Sequence, residues 1–262
     1  MEFAKLKYSA ANGIAFIVLN SPQNLNALDE PMLDELFAVL DLCTGDETVK
    51  TVVISGEGDS FSAGGDIKVM LKILEGNLPD VSLGVRKLGE VALKIRNIQK
   101  PVIASVKGAV AGAGFNLALL CDFRIAADNA RFIQAFVNIG LIPDMGGLFL
   151  LTRMLGAARA TELVMTGRMV NAEEALSMGL VTRVVPLEKL EEATLQLAVK
   201  LSALPGIALG HMKDLVNSTT YSGFEKHLDK ETEYQVQCAG TDDFKEGIKA
   251  FAEKRKPNFQ GK

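Results

Sequence analysis

Three times in the first half of the chain, a short apolar, mostly β-branched run leads through a turn into a helical pattern, and this alternation limits the possible folds most. Ile14–Leu19 (IAFIVL) has the length and composition of a buried strand. Asp29 and Pro31 then supply a helix N-cap and an early helical position, and Met32, Leu33, Leu36, Phe37 and Leu40 share one face. Val52–Ile54 leads through GEGDSFSAGGD to helices from about Ile67 and over Leu83–Ile98, and Val102–Val106 leads into another small-residue turn. Such alternation predicts an α/β fold with helices covering the sheet. From about Leu187 the pattern is helical only, over Leu187–Leu204, Leu209–Asn217, Phe224–Cys238 and Asp243–Lys254, with Pro205–Gly206 as punctuation. The chain divides into an α/β core, residues 1–200, and a helical region, residues 201–262.

Charge narrows the partners. The 28 Lys and Arg against 32 Asp and Glu give a net charge of −4, which argues against a broad basic face for nucleic acid or a membrane surface. Cys43, Cys121 and Cys238 are widely spaced and lack a CxxC, so neither a disulfide framework nor a zinc site is expected. With an apolar N-terminal stretch too short to span a bilayer or form a signal core, the expected location is the cytoplasm.

Three segments could carry chemistry. In Phe61-Ser-Ala63-Gly64-Gly65-Asp66, small residues between a strand and a helix let a ligand oxygen approach backbone N–H groups at a positive helix end. The same six residues also suit a tight turn with Asp66 as a helix cap. Gly108–Asp122 repeats the arrangement. Its Gly112-Ala113-Gly114 lacks the third glycine and the later acidic residue of a dinucleotide fingerprint, since Leu117 stands at the glycine position. Two such turns can aim two N–H donors at one oxygen, as enolate stabilisation requires, and close helix–strand packing explains the same glycines equally well. In Ala130–Gly147, Asp144 follows Pro143 amid Ile139, Leu141, Ile142, Met145 and Leu148. A carboxyl buried there would hold its proton to higher pH, as a proton carrier must; the competing role is N-cap of a helix over Met145–Leu155.

In this order, AGGD, GAVAGAGFNLALLCDFRIAADNARF and NIGLIPDMGG resemble the enoyl-CoA hydratase/isomerase (crotonase) family, and VLNSPQNLNALD and FAEKRKPNF extend the resemblance over nearly the whole chain. The resemblance implies a crotonase-like α/β spiral of ββα units with a C-terminal helical oligomerisation region, assembled as a homo-trimer or hexamer. It implies an acyl-CoA thioester substrate whose carbonyl is held by the N–H groups of Gly65 and Ala113, with CoA part of the substrate and no further cofactor or metal. Ala63, Asp66, Ile67, Asn116 and Phe136 fall at substrate-binding positions, and Phe251 and Lys254 at the CoA end, reached from a neighbouring subunit. The basic Lys249–Lys256 tail also reads as a solvated helix face.

The departures from the family pattern decide the activity that the resemblance implies. Family hydratases carry glutamates where this chain has Asn116 and Phe136, whereas Asp144 stands where dienoyl-CoA isomerases and the ring-opening isomerases of phenylacetate breakdown carry a catalytic aspartate. The expected activity is therefore isomerisation of an unsaturated acyl-CoA, with Asp144 moving one proton. The alternatives are an enoyl-CoA hydratase using Asp144 and Asn116, and a non-catalytic acyl-CoA binder. A dehalogenase-like reaction would also want a tryptophan and an upstream histidine, and the chain has no Trp and only His211 and His227. Phe224 and Leu228, apolar positions at helical spacing in a charged region, are expected to cover an intersubunit surface.

Overall fold

The computed structural model describes residues 3–74 and 81–262. Strands β1 (Leu6–Ala11) and β2 (Ile14–Leu19) form an antiparallel hairpin, followed by α1 (Glu30–Gly45) and β3 (Thr51–Gly56), which pairs parallel to β2. Asp29 caps α1 by accepting from Met32 N at 3.0 Å, and Met32, Leu36 and Leu40 turn the apolar face inward, as the spacing predicts. Then come α2 (Ile67–Leu74), α3 (Val81–Asn97), β4 (Val102–Val106), β5 (Ala109–Ala111), α4 (Gly112–Leu120), β6 (Phe123–Ala127) and β7 (Arg131–Ile133). The chain continues through α5 (Gly147–Leu155), α6 (Ala157–Thr166), β8 (Met169–Asn171), α7 (Ala172–Ser177) and β9 (Arg183–Val185). The last four helices are α8 (Leu190–Ser202), α9 (Gly206–Thr220), α10 (Phe224–Ala239) and α11 (Asp242–Ala252).

The large sheet has the order β1-β2-β3-β4-β6-β9, parallel except for the first pair, and β5, β7 and β8 form a second, small sheet. The spiral is visible in this sharing: β4 and β6 join the large sheet, and the strand after each joins the small one. Both faces of the large sheet are covered. Ala15, Ile17, Val52, Ile54, Val102 and Ala104 face the main core, while Ile14, Val53, Ile103 and Ile125 pack on Leu190, Ala193, Ala198 and Leu201 of α8.

Several sequence readings need correction. The helix read over Leu187–Leu204 is a 3₁₀ turn, Leu187–Lys189, followed by α8, and α11 stops at Ala252, leaving Lys254 outside it with φ of +54°. Phe224 and Leu228 do not await a neighbouring subunit. Both are buried in this chain's own core, where Leu228 lies against Gly89 of α3 and the Phe224 ring is 5.2 Å from that of Phe149. Exposed apolar residues of the C-terminal region include Ile207, Met212, Leu215 and Val216 on α9. No single helix among the described residues is long and apolar enough to cross a membrane.

Candidate active site

The two small-residue turns meet. Ser62 N donates to Ala109 O at 3.1 Å and Ala111 N to Ser62 O at 2.9 Å, which ties the loop after β3 alongside β5. Gly64 has φ of +89°, and a Cβ there would lie 2.7 Å from Ala111 O and 3.1 Å from Ala113 N, so only glycine permits this approach. A Cβ on Gly114 would lie 2.6 Å from Ser62 Oγ, so close packing and a functional turn are the same fact here. Neither the Gly65 nor the Ala113 N–H donates to an acceptor among the described residues. Ala113 belongs to the first turn of α4, where N–H groups lack helical partners and the helix dipole is positive. Two undonated N–H groups on touching backbones form a place for an oxygen that gains negative charge.

The third segment closes on the second. Asp144 is 6% exposed, and its Oδ1 has no hydrogen-bond partner. Asn116 is fully buried; its Nδ2 donates to Asp144 O at 2.8 Å, and its Oδ1 accepts from Gln134 Nε2 at 2.8 Å. This network fixes the amide, so Asn116 has one N–H left for anything else. The Phe136 ring comes to 3.7 Å from where a Cβ on Gly112 would stand, placing it as a wall beside the Ala113 turn. The N-cap of α5 is Gly146 with φ of +75°, and the Asp144 side chain caps no helix, which removes that reading of the residue.

The loop is held from the C-terminal region. Glu231 of α10 is buried and accepts from Gly146 N at 2.8 Å through Oε2, while its Oε1 lies 3.0 Å from His227 Nε2. Gln235 Oε1 accepts from Ile142 N at 3.1 Å. Burial, with the Glu231 carboxylate adding and the Asn116 amide opposing, pushes the Asp144 carboxyl up to about 8. Burial also raises Glu231, with His227 and the Gly146 N–H opposing.

Gly65, Ala113, Asn116, Phe136 and Asp144 are thus brought together, with Ala63 on the same turn as Gly65. Asp66 opens α2, accepting from Lys68 N at 2.8 Å and from Asn24 Nδ2 at 3.3 Å, and Ile67 packs on Phe244 and Ile248 of α11. Phe251 and Lys254 are exposed, on the last turn of α11 and just beyond it. Glu231, His227, Gln134 and Gln235 were missed. For Glu231 and Gln235 a signal existed: they continue the Phe224–Leu228 stripe at steps of three and four, so polar residues stand on an apolar helix face. A cleft lined by Arg96, Cys121, Lys213 and Tyr221 is a poor rival site, because Arg96 and Lys213 both pair with Asp122, at 3.2 and 2.8 Å.

Residues 9–262 match the family model described as enoyl-CoA hydratase/isomerase. The chain is 41% identical over 265 aligned positions to the trans-2-decenoyl-[acyl-carrier-protein] isomerase of Streptococcus mutans, with 100% of both chains covered. It is 37% identical to the 1,2-epoxyphenylacetyl-CoA isomerase of Escherichia coli over 95% of this chain and 96% of that one. Among solved structures, an enoyl-CoA hydratase from Mycobacterium avium subsp. paratuberculosis superposes with a TM-score of 0.90 at 31% identity, covering 99% of this chain and 100% of that one. A shared fold, a match along nearly the full length and these relatives make the chain a member of the enoyl-CoA hydratase/isomerase family.

Proposed function

We propose that the protein isomerises an unsaturated acyl thioester with one carboxyl group, Asp144, and a backbone oxyanion hole made by Gly65 and Ala113. The observation that carries this reading is the buried Asp144 carboxyl with an unpartnered oxygen next to a turn with an undonated N–H, while Asn116 and Phe136 stand where the family resemblance puts the hydratase glutamates. The ionised Asp144 takes a proton from the carbon made acidic by the thioester. The electron pair passes to the carbonyl oxygen, which the two N–H groups stabilise as an enolate. Asp144 then returns the proton to another carbon of the chain, the double bond shifts, and no atom is gained or lost. Proton transfer by a positioned group contributes ~10²–10⁴ in rate and one oxyanion donor ~3–4 kcal/mol, so the two devices together suffice for catalysis without water activation. Asn116 holds the Asp144 backbone, and Phe136 bounds the acyl chamber.

CoA is the expected carrier, travelling as part of the substrate, and Ala63, Asp66 and Ile67 lie where its thioester end would enter. A second carrier has a specific observation behind it: the Streptococcus mutans relative is named for an acyl-carrier-protein substrate. Ring-opening isomerisation of a phenylacetyl-derived CoA ester has the Escherichia coli relative behind it. The exposed apolar residues of α9 support assembly as a trimer or hexamer, with Phe251 and Lys254 completing the CoA site of a neighbouring subunit. A panel of 2-enoyl-, 3-enoyl- and phenylacetyl-derived CoA esters, with matching carrier-protein thioesters, followed by product mass, tests the function. Isomerisation leaves the mass unchanged, whereas a gain of one water overturns the reading. Light scattering should return a trimer or a multiple of it; a monomer at micromolar concentration overturns the assembly.

A further inference from the structure

The buried polar edge of α10 does more than fill space. Glu231 is 4% exposed, and burying a carboxyl costs free energy unless its neighbours compensate. The compensation here goes to the Asp144 loop: Glu231 holds Gly146 N, and Gln235, one turn on, holds Ile142 N. Between these anchors lies Met145 with φ of +48°, a left-handed conformation that an unbranched side chain adopts only under restraint. A Cβ on Gly146 would lie 2.1 Å from the Phe224 ring, so the loop is also pressed onto α10.

We propose that Glu231 is a positioning residue for the reaction at Asp144: braced by His227, it pins the strained loop through Gly146 and faces the reacting carboxyl with a like charge. This rests on the reading of Asp144 as the proton carrier. The other charged groups nearby are committed elsewhere. On α3, Lys87 pairs with Glu30 and Asp34, and Arg86 donates to Ser82. On α5, Arg153 lies over the Phe149 ring and donates to Thr220 O. The α4 face offers only the neutral Asn116, and α10 itself offers His227. Glu231 is therefore the charge that Asp144 feels, and it adds to the upward push that burial gives the Asp144 carboxyl.

Two variants separate charge from reach. Glu231→Gln keeps an oxygen for Gly146 N–H and removes the charge, so the midpoint of kcat/KM against pH should fall by about 1 unit with KM little changed. Glu231→Asp keeps the charge but is one methylene short, so kcat should drop roughly tenfold to a hundredfold with the midpoint near that of the wild type. Unmoved midpoints with full kcat in both variants overturn the proposal. A second arm reads no turnover. In ¹³C-carboxyl NMR of the ligand-free protein, the Asp144 titration should move to lower pH in Glu231→Gln than in the wild type, and an unmoved titration overturns the proposal. Because this arm needs no catalysis, it decides the matter even if Asp144 proves dispensable for turnover.

Discussion

Replacing Asp144 by Asn should stabilise the protein, by more at high pH than at low, because the buried carboxyl is costly once ionised. Its ordinary value of 3.8 is raised to about 8 in the folded chain. The folded state therefore holds the proton more tightly than the unfolded state. Below about pH 4 both states are protonated and the native protein keeps its full stability; that stability is lost as the pH climbs from the unfolded toward the folded value. Each unit in that window withdraws about 1.4 kcal/mol, so going from pH 5 to pH 8 should remove on the order of 3–4 kcal/mol from the wild type. The Asn variant has no such proton to lose. The like charge on Glu231 is already part of that raised value. Urea unfolding of wild type and variant at fixed protein concentration, at pH 5, 6.5 and 8, measures the difference. A gap that widens by at least 2 kcal/mol or so across the series fits a buried, proton-holding Asp144. A constant gap would refute it, since it would mean that the carboxyl ionises in the folded protein as easily as in the unfolded chain.

Two further substitutions probe the turns. Ala113→Pro removes an N–H that has no acceptor among the described residues, at a first-turn position where proline is tolerated; kcat should fall ~10²–10³-fold with the thermal midpoint nearly kept. Gly146→Ala drives a Cβ into the Phe224 ring and puts a side chain at φ of +75°, which should cost roughly 2–4 kcal/mol in urea unfolding and lower kcat by displacing Asp144.

What the sequence revealed depended on how local the signal was. The strands Ile14–Leu19 and Val102–Val106 and the cap at Asp29 were legible because each depends on its own residues. The two glycine turns were legible for the same reason; the apolar surround marked Asp144 as a carboxyl that would be buried, and only the family resemblance set proton transfer above a helix cap. β5, β7, β8 and β9 have three residues each, too few to display alternation, and exist because the larger sheet and its helices give them partners. Asn116 read as a free hydrogen-bonding group; its use is fixed by Gln134, 18 residues on, and Asp144, 28 residues on. Glu231 was hidden by the ordinary expectation that a charge on a helix faces water, and its partner Gly146 lies 85 residues earlier. Phe224 and Leu228 were recognised as a buried face but assigned the wrong cover, because periodicity shows that a face is buried and not what buries it.

The most direct test of one-carboxyl isomerisation follows proton traffic in the wild type and in Asp144→Asn with the enoyl thioester that the product-mass panel identifies as substrate. In deuterated water, the wild type should place deuterium on the carbon that gives up or receives the shuttled proton, with no net gain of water. The Asn variant should bind the thioester with nearly unchanged affinity, turn over roughly 10²-fold or more slowly, and lose the label. Full activity and full exchange in the Asn variant, or hydration of a 2-enoyl thioester by the wild type faster than any isomerisation, would contradict the assignment of Asp144.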